Sequence, residues 1–416
     1  MGDEISVSLI LHLHQVIVCS HSILLLEVIF MQNTIANKVP TTFSRTNPFP
    51  AKVLKNQNLN GAGSKKETRH IELSLKGSDL SYVPGDCLGI YPQNDPELVA
   101  SLLEEMKWDP ETAVTISKQG ETLPLRDALT THFEITLLTK KMIQQAAEFT
   151  DNEELKQLSS EDHINELKEY INGRDLLDML RDFGPWKASV QEIVSLLRKM
   201  PPRLYSIASS LTAYPEEVHL TIGAVRYTAH GRERKGVCSV QCAERLPEGE
   251  TLPVFIQVNK HFNLPDSPEK DIIMVGPGTG IAPFRSFIQE RSVTEATGKS
   301  WLFFGDQHSA TDFLYQDEFE AYLKEGGLTR LDTAFSRDSE QKVYVQHKML
   351  ENSKELFAWL ENGAYFYVCG DKQNMAKDVH SALIDVIEKE GKMTRENAEA
   401  YLSAMQEQGR YQRDVY

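Results

Sequence analysis

The chain has 416 residues, which is enough for two or three domains. Its hydrophobic fraction of 41% and charged fraction of 25% are those of ordinary globular proteins, and they argue against a disordered or polytopic membrane protein. A formal net charge of -16 repels phosphate backbones and argues against a nucleic-acid partner. The 5 cysteines contain no CxxC pair, which favours neither a disulfide framework nor a zinc ribbon and predicts a cytoplasmic protein.

Residues 1–46 form an N-terminal extension without an assigned fold. Within it, residues 5–31 carry a single charged side chain, Glu27, and are long enough to span a bilayer. Polar side chains interrupt this stretch and no Lys or Arg precedes it, so a membrane segment is the less favoured interpretation. The favoured one is a mis-assigned start, with Met31 as the true first residue.

Two groups of predicted strands flank a predicted helical segment. Alternating apolar residues and turn signals indicate strands at 51–54, 69–75, 87–91, 204–208, 218–225, 236–240 and 252–258. Apolar residues at helical spacing lie between the two groups. The sequence therefore predicts an antiparallel β-barrel built from 47–94 and 200–265, interrupted by a helical insert at 95–199.

From residue 266 to the end, short apolar runs alternate with helical patterns. The runs lie at 271–275, 300–304, 329–335 and 364–369. Such alternation predicts a doubly wound parallel α/β sheet, whose ligands bind beyond the carboxyl ends of the strands. The predicted fold is therefore multidomain, with an α/β domain over 266–416 following the barrel.

A glycine-rich turn, Gly276-Pro277-Gly278-Thr279-Gly280, follows the first run of the α/β domain and precedes a predicted helix at 284–291. Glycines allow a tight turn and the close approach of a pyrophosphate, whose charge a helix N-terminus favours. The alternative is an ordinary strand-to-helix connection. No acidic residue follows the second strand, where NAD enzymes hold the ribose hydroxyls, so NAD is disfavoured.

Basic and aromatic residues follow the third run of the same domain. Ser336 and Arg337 close the predicted strand, and Lys342 and Tyr344 come shortly after it. Together they can pair with and stack on a 2′-phosphorylated adenosine. NADPH is therefore the predicted ligand, and the alternative is a solvated charged loop.

A second set of motifs lies in the predicted barrel. These are Arg203-Leu204-Tyr205-Ser206, Thr221-Ile222-Gly223, Tyr227 and Gly236-Val237-Cys238-Ser239. Arg203 can neutralise a pyrophosphate, Tyr205 offers an aromatic face for an isoalloxazine, and the segment 236–239 can open a helix towards phosphate. In this order, and followed by the glycine turn, the motifs resemble the flavin-binding pattern of the ferredoxin-NADP reductase superfamily.

Four segments of the α/β domain make the resemblance more specific, namely 276–285, 302–305, 367–371 and 410–416. From about residue 47 onward the chain resembles the flavoprotein components of assimilatory NADPH-sulfite reductases, which are diflavin reductases. The resemblance implies FAD and NADPH as cofactors. In that family an FMN-carrying flavodoxin domain precedes the barrel, and there is no room for one before Asn47, so FMN is not expected on this chain. The implied partners are a flavodoxin-like FMN protein or domain and a sulfite reductase haemoprotein.

The same resemblance implies roles for single residues. Ser206 is expected near the flavin N5, Cys369 near the nicotinamide C4 with Asp414 beside it, and Tyr416 over the flavin ring. Thr136 is expected to contact FAD. The expected NADPH contacts are Gly276, Gly278, Thr279, Gly280, Ser336, Arg337, Lys342, Val343, Tyr344, Val345, Gln346 and Asp378. Taken alone, Cys369 also fits a buried strand-end cysteine, and Thr136 and Asp378 fit structural positions.

Three functions stay open at this point. The predicted one is an NADPH-dependent FAD reductase that serves sulfite reduction. The second keeps the chemistry but delivers electrons to another acceptor, such as a free flavodoxin. The third is a non-catalytic assembly module, against which the intact Arg203, Tyr205, Ser206, Cys369 and Asp414 argue.

Overall fold

The structure, a computed structural model, describes residues 43–416. The interpretations of residues 5–31 as a membrane segment and of Met31 as the true start lie outside the described residues. Within the described part of the chain, no helix has the length and apolar character needed to cross a membrane.

Six strands form the first sheet, in the order β6-β3-β10-β1-β2-β7. All neighbouring pairs are antiparallel. A bridge between Ile207 and Leu220 connects the chain after β6 to β7, so the two edges of the sheet meet. The predicted antiparallel barrel is thus confirmed. Its strands are β1 (Phe49–Asn58), β2 (Thr68–Ser74), β3 (Cys87–Ile90), β6 (Arg203–Ser206), β7 (Glu217–Gly223) and β10 (Thr251–Gln257).

Strand β7 is covered on both faces. Val218, Leu220 and Ile222 are fully buried in the barrel core, as the period-2 pattern requires. On the opposite face His219 and Thr221 are 1% and 4% exposed, because the second domain packs there. The barrel therefore presents β7 directly to the α/β domain.

The helical insert separates β3 from β6 and has its own apolar core. It also contains the short pair β4 (Ala113–Thr115) and β5 (Thr122–Pro124). An Asp175–Asp178 capping box starts one of its helices. Its helical segments are Pro96–Glu105, Leu125–Asp127, Ala128–His132, Lys140–Ala146, Ala147–Phe149, Glu153–Leu158, Glu161–His163, Ile164–Ile171, Leu176–Asp182 and Val190–Ser195.

Buried ion pairs connect the insert to the barrel. Asp175 and Asp178 accept hydrogen bonds from Arg232 and Arg234. Both arginines lie on β9 (Arg232–Lys235), which pairs with β8 (Arg226–Ala229) in a hairpin that the sequence did not predict. Since removing one partner of a buried pair leaves an uncompensated charge, these contacts fix the hairpin against the insert.

The strand predicted at Gly236–Val240 is wrong. This segment begins the helix Val237–Glu244. Gly236 ends the hairpin by donating to the Val225 carbonyl, and the hydroxyl of Ser239 accepts from the Val225 amide. Backbone pairing thus stops at Gly236, and the following small and apolar residues continue as a buried helix.

The second sheet is parallel and five-stranded, in the order β13-β12-β11-β14-β15. This confirms the predicted α/β domain. The strands are β11 (Ile272–Val275), β12 (Ser300–Asp306), β13 (Arg330–Phe335), β14 (Tyr365–Gly370) and β15 (Tyr411–Val415). The helical segments around them are Gly278–Ile281, Ala282–Val293, Ser309–Asp312, Gln316–Glu325, Val345–Glu351, Ser353–Glu361, Met375–Gly391 and Arg395–Glu407.

Candidate active site between the two domains

The carboxyl end of the parallel sheet meets the flavin-motif strand of the barrel. Ser206 ends β6, and its hydroxyl donates to Asp414 Oδ2 over 2.7 Å. The Cys369 Sγ lies 4.0 Å from the same carboxylate oxygen, because Cys369 and Asp414 are register partners on β14 and β15. The structure therefore brings together three of the four predicted catalytic residues.

The Asp414 carboxylate controls the electrostatics of this contact. Burial raises the pKa of Asp414, and the Ser206 hydrogen bond opposes that rise. Burial, and then the charge of Asp414, raise the pKa of the Cys369 thiol well above its usual range. Cys369 is therefore a neutral thiol at physiological pH and not a nucleophilic thiolate.

A second thiol, which the sequence analysis missed, belongs to the same cluster. Cys87 on β3 is the register partner of Ser206. Burial, followed by the charges of Asp414 and Asp86, raises the pKa of Cys87 to about 12. No motif surrounds Cys87, and its place follows only from the pairing of β3 with β6.

The glycine turn lies against the end of β14. A Cβ on Gly280 would lie 2.1 Å from the Cys369 carbonyl oxygen, so only glycine fits there. Across the domain boundary, Thr279 Cγ2 is 3.3 Å from the position of a Cβ on Gly223, at the end of β7. The Tyr416 hydroxyl lies 3.0 Å from Thr279 Oγ1, and Tyr416 is 63% exposed. The fourth predicted catalytic residue thus lies at the turn with its ring accessible.

The glycine turn has a cation beside it that the sequence analysis also missed. Gly278 has φ +58°, a backbone conformation that favours glycine. A Cβ on Gly278 would lie 3.8 Å from Lys66 Nζ and 3.8 Å from Asp306 Oδ2. Lys66 reaches across from the β1–β2 loop to Asp306 Oδ1 at 2.6 Å, and Asp306 Oδ2 is buried without a hydrogen-bond partner. A glycine backbone and a lysine cation fit a pyrophosphate.

The residues predicted for the adenosine end lie at the edge of the same sheet. The Ser336 amide donates to the Asp306 carbonyl, and the Arg337 amide donates to the Gln307 carbonyl, so the loop after β13 is tied to the end of β12. The side chains of Arg337, Lys342 and Tyr344 are exposed. They are accessible to an anionic ligand.

The other predicted contacts of this region divide into buried, partly buried and exposed positions. Val345 is buried in the domain core, and Val343 packs against that core. Gln346 donates its side-chain amide to Asp378 Oδ2 over 3.2 Å. The structure therefore joins Gln346 to Asp378 and gives Val345 a packing role.

A cavity of about 370 Å³ lies between the barrel and the insert. Five of the predicted FAD residues line it, namely Thr136, Arg203, Tyr227, Gly236 and Val237. The helix that starts at Val237 has no side-chain cap, and Tyr227 is 50% exposed. An arginine, an uncapped helix N-terminus and an accessible aromatic ring fit the phosphate and ring portions of FAD.

A buried carboxylate orients the arginine of this cavity. Glu134 is fully buried and accepts from Arg203 Nη2 over 2.8 Å. Thr136 donates to Glu134 through its amide and its hydroxyl. Although burial raises the pKa of Glu134, the hydrogen bonds from Thr136 and Arg203 lower it below its usual range. Glu134 is thus ionised, and it was not predicted because no motif includes it.

The remaining predicted flavin residues pack mostly inside the protein. Cys238 and Ile222 are buried in the barrel core, Tyr205 packs against that core, and Leu204 is 52% exposed. The Thr221 hydroxyl lies 2.7 Å from the Tyr315 hydroxyl. Because the side chains of Cys238 and Ile222 are buried in the core, only the backbone groups of these residues can contact a ligand.

His70, Glu72 and His219 place one ligand atom each within 4.8 Å of one another, which suggests a metal site in the described region. Their ring nitrogens, however, already have partners. His70 contacts Glu72 and Tyr315, while His219 contacts Glu217 and Arg285. Burial, and then the charge of Arg285, lower the pKa of His70 to about 4 and that of His219 to about 2. The cluster is therefore a hydrogen-bonded network of neutral histidines next to a buried arginine.

Comparison with known proteins identifies both domains. Residues 41–240 match the FAD binding domain family, and residues 274–381 match the oxidoreductase NAD-binding domain family. The predicted FAD-binding and NAD(P)-binding domains are thus confirmed.

The chain is also similar to sulfite reductase flavoproteins over both of its domains. The chain is 65% identical over 376 residues to the sulfite reductase [NADPH] flavoprotein alpha-component of Bacillus subtilis, covering 90% of the chain and 62% of the relative. It is 47% identical to the protein of that name from Vibrio cholerae and 46% identical to that from Mannheimia succiniciproducens, each over 90% of the chain. The alignments cover 60% of the Vibrio protein and 62% of the Mannheimia protein. The chain therefore spans about three fifths of the length of these relatives.

Proposed function

Because a match to the FAD binding domain precedes a match to the oxidoreductase NAD-binding domain in this chain, we propose that it oxidises NADPH and passes the electrons through FAD towards sulfite reduction. The acceptors are a flavodoxin-like FMN protein or domain and, beyond it, a sulfite reductase haemoprotein. The relatives are named as flavoprotein components of that reductase, which supports this choice. The free thiols of the described cysteines fit a cytoplasmic location.

The observation that carries the proposal is the contact of Ser206 with Asp414 and Cys369, at the boundary between the two domains. When bound, FAD accepts the hydride of NADPH and releases electrons to the next carrier. The chain positions both cofactors. Arg203 and the helix at Val237 would hold the flavin phosphates in the cavity, while the glycine turn and Lys66 would hold the NADPH pyrophosphate.

The domain limits follow from the same proposal. Residues 47–94 and 200–265 bind FAD, 95–199 form the connecting insert, and 266–416 bind NADPH. In this division Ser206 belongs to the FAD-binding part, and Cys369, Asp414 and Tyr416 belong to the NADPH-binding part. Tyr416 would cover the flavin ring and would have to move aside for NADPH.

The visible spectrum of the purified protein tests the proposal. We expect a bound flavin that is released as FAD, and we expect anaerobic NADPH to bleach it. A protein that cannot be reconstituted with FAD, or whose FAD is not bleached, would contradict the proposal. Electron delivery to an FMN flavodoxin and then to a haemoprotein, compared with delivery to other acceptors, tests its second part.

Arg337→Ala is expected to raise the KM for NADPH by about tenfold, because a hydrogen bond to a charged group contributes roughly 1.5–3 kcal/mol. NADH lacks the 2′-phosphate, so its KM is expected to stay unchanged. Steady-state kinetics with both nucleotides measure this. Lys354→Ala, at an exposed position on the helix Ser353–Glu361, is the control for a lost positive charge. An unchanged KM for NADPH in Arg337→Ala, or an equal rise in Lys354→Ala, would contradict the assignment.

A further inference from the structure

The loop that follows the flavin-motif strand is bound by one helix of the α/β domain. The loop, residues 207–212, begins directly after Ser206. The helix Ala282–Val293, here called the glycine-turn helix, begins directly after Gly278–Ile281. Gln289 Oε1 accepts from the Ser210 amide over 3.0 Å, and Glu290 accepts from the hydroxyls of Ser210 and Thr212. The two segments that carry the flavin motif and the glycine turn are thus joined by hydrogen bonds.

Arg285 is the most buried charged residue of this junction. It is 5% exposed, and its Nη1 donates to the Ala208 carbonyl over 2.7 Å and to His219 Nδ1 over 3.2 Å. Its Nε donates to Glu318 over 2.9 Å. Because the guanidinium is a rigid planar fork, partners in three directions fix its orientation.

The histidine partner has a defined protonation state. His219 Nδ1 faces the Arg285 guanidinium, which only donates, so Nδ1 must accept. The proton of the neutral ring is then on Nε2, 3.1 Å from Glu217 Oε2. Arg285 therefore contacts two barrel elements, the loop after β6 and the outer face of β7.

The chain paths from Arg285 to the two reacting sites are short. Ala208 is two residues beyond Ser206, and Arg285 is five residues beyond Gly280. A shift of the guanidinium therefore changes the distance between Ser206 and the glycine turn, because the few residues in between cannot absorb the shift. Misplacement of reacting groups by about 1 Å is enough to slow a reaction on the order of a hundredfold.

We infer that Arg285 is a positioning residue, which sets the distance and angle between the glycine turn that holds NADPH and the strand that holds the flavin. The inference rests on the proposed function, since it presupposes hydride transfer between the two sites. It assigns Arg285 an effect on the transfer step itself and not on the binding of either cofactor.

The same helix offers a matched control. Arg291 is also 5% exposed, and it donates to Ser300 Oγ and to the Gly298 carbonyl. Both partners belong to the α/β domain. Arg291→Gln therefore removes an equally buried arginine from the same helix without touching the junction between the domains.

The test compares Arg285→Gln, Arg285→Lys and Arg291→Gln in the FAD-loaded full chain, by anaerobic stopped-flow bleaching with NADPH. We expect Arg285→Gln to lower the limiting rate about tenfold or more, with half-saturation by NADPH changed less than about twofold. Arg285→Lys keeps the positive charge but loses the planar guanidinium, so its limiting rate is expected to stay as low as that of Arg285→Gln. Arg291→Gln is expected to reduce the melting temperature but to keep the limiting rate.

Three results would overturn the inference: a wild-type limiting rate in Arg285→Gln, an equal loss in Arg291→Gln, or a loss confined to NADPH affinity. Wild-type protein that is not bleached by NADPH would instead contradict the proposed function. Should Arg285→Gln lose FAD, Glu318→Gln weakens the orientation of Arg285 at a less buried position, because Glu318 accepts from Arg285 Nε. An unchanged rate in that variant would overturn the inference.

Discussion

Asp414→Asn is expected to lower the limiting rate of FAD reduction by NADPH on the order of a hundredfold, the loss typical of removing one preorganised electrostatic group from an active site. The carboxylate is partly buried, accepts a hydrogen bond from the Ser206 hydroxyl and lies 4.0 Å from Cys369 Sγ. A nicotinamide that gives up hydride gains positive charge, which a carboxylate stabilises and an amide does not. Stopped-flow bleaching measures the effect, and FAD content is expected to stay the same.

The pH profile provides a second readout for Asp414. Because burial raises the pKa of Asp414, the carboxylate becomes protonated at a higher pH than an exposed aspartate does. As the pH falls through this raised pKa, the charge is lost and the wild-type rate falls. In Asp414→Asn there is no such charge, so the acid limb of the profile is expected to disappear.

Asp332→Asn is the matched control for this change. Asp332 lies on β13, at the opposite edge of the same sheet, and accepts from Trp301 and Arg330. Its replacement is expected to cost stability but to keep the limiting rate. A wild-type rate in Asp414→Asn, or equal slowing in both variants, would exclude the role of Asp414.

The fold could be predicted where burial gives a clear periodicity. Apolar and polar residues alternate in the sequences of β2 and β7, although the α/β domain also buries the polar face of β7. The strands β11, β12 and β14 are continuous apolar runs because helices cover both faces of a parallel sheet. The edge strand β15 was missed because one side is open, so polar residues such as Arg413 and Asp414 interrupt its apolar pattern. The helix at Val237 was mistaken for a strand because its first six residues are all buried, so this stretch has no exposed polar face.

The residues of the candidate site also divide into those that could be predicted from the sequence and those that could not. Ser206, Cys369 and Asp414 were named through a family resemblance, and the structure places them in one cluster across 208 residues of sequence. Glu134 and Lys66 were not named, because each acts through a contact that only the folded chain creates. A buried acid beside an arginine, and a lysine reaching across a domain boundary, leave no pattern along the sequence.

Arg203→Ala is expected to weaken FAD binding on the order of a hundredfold, since a hydrogen bond to a charged group contributes about 1.5–3 kcal/mol and each 1.4 kcal/mol is tenfold in Kd. Arg203 lines the cavity, 28% exposed, with Glu134 holding one side of its guanidinium. The remaining N–H groups of the guanidinium are available to bind a phosphate. Titration of the apoprotein with FAD, followed by flavin fluorescence, measures the change.

Two further variants separate phosphate binding from stability. Arg203→Ala also leaves Glu134 buried without its partner, which destabilises the fold by itself. Arg203→Lys keeps a cation beside Glu134 but loses the bidentate fork, so an intermediate loss of about tenfold is expected. Arg198→Ala removes an exposed charge nearby and is expected to bind FAD like the wild type. If Arg203→Lys bound FAD as tightly as the wild type, the charge alone would suffice, and the fork that Glu134 orients would have no role in recognising the phosphate.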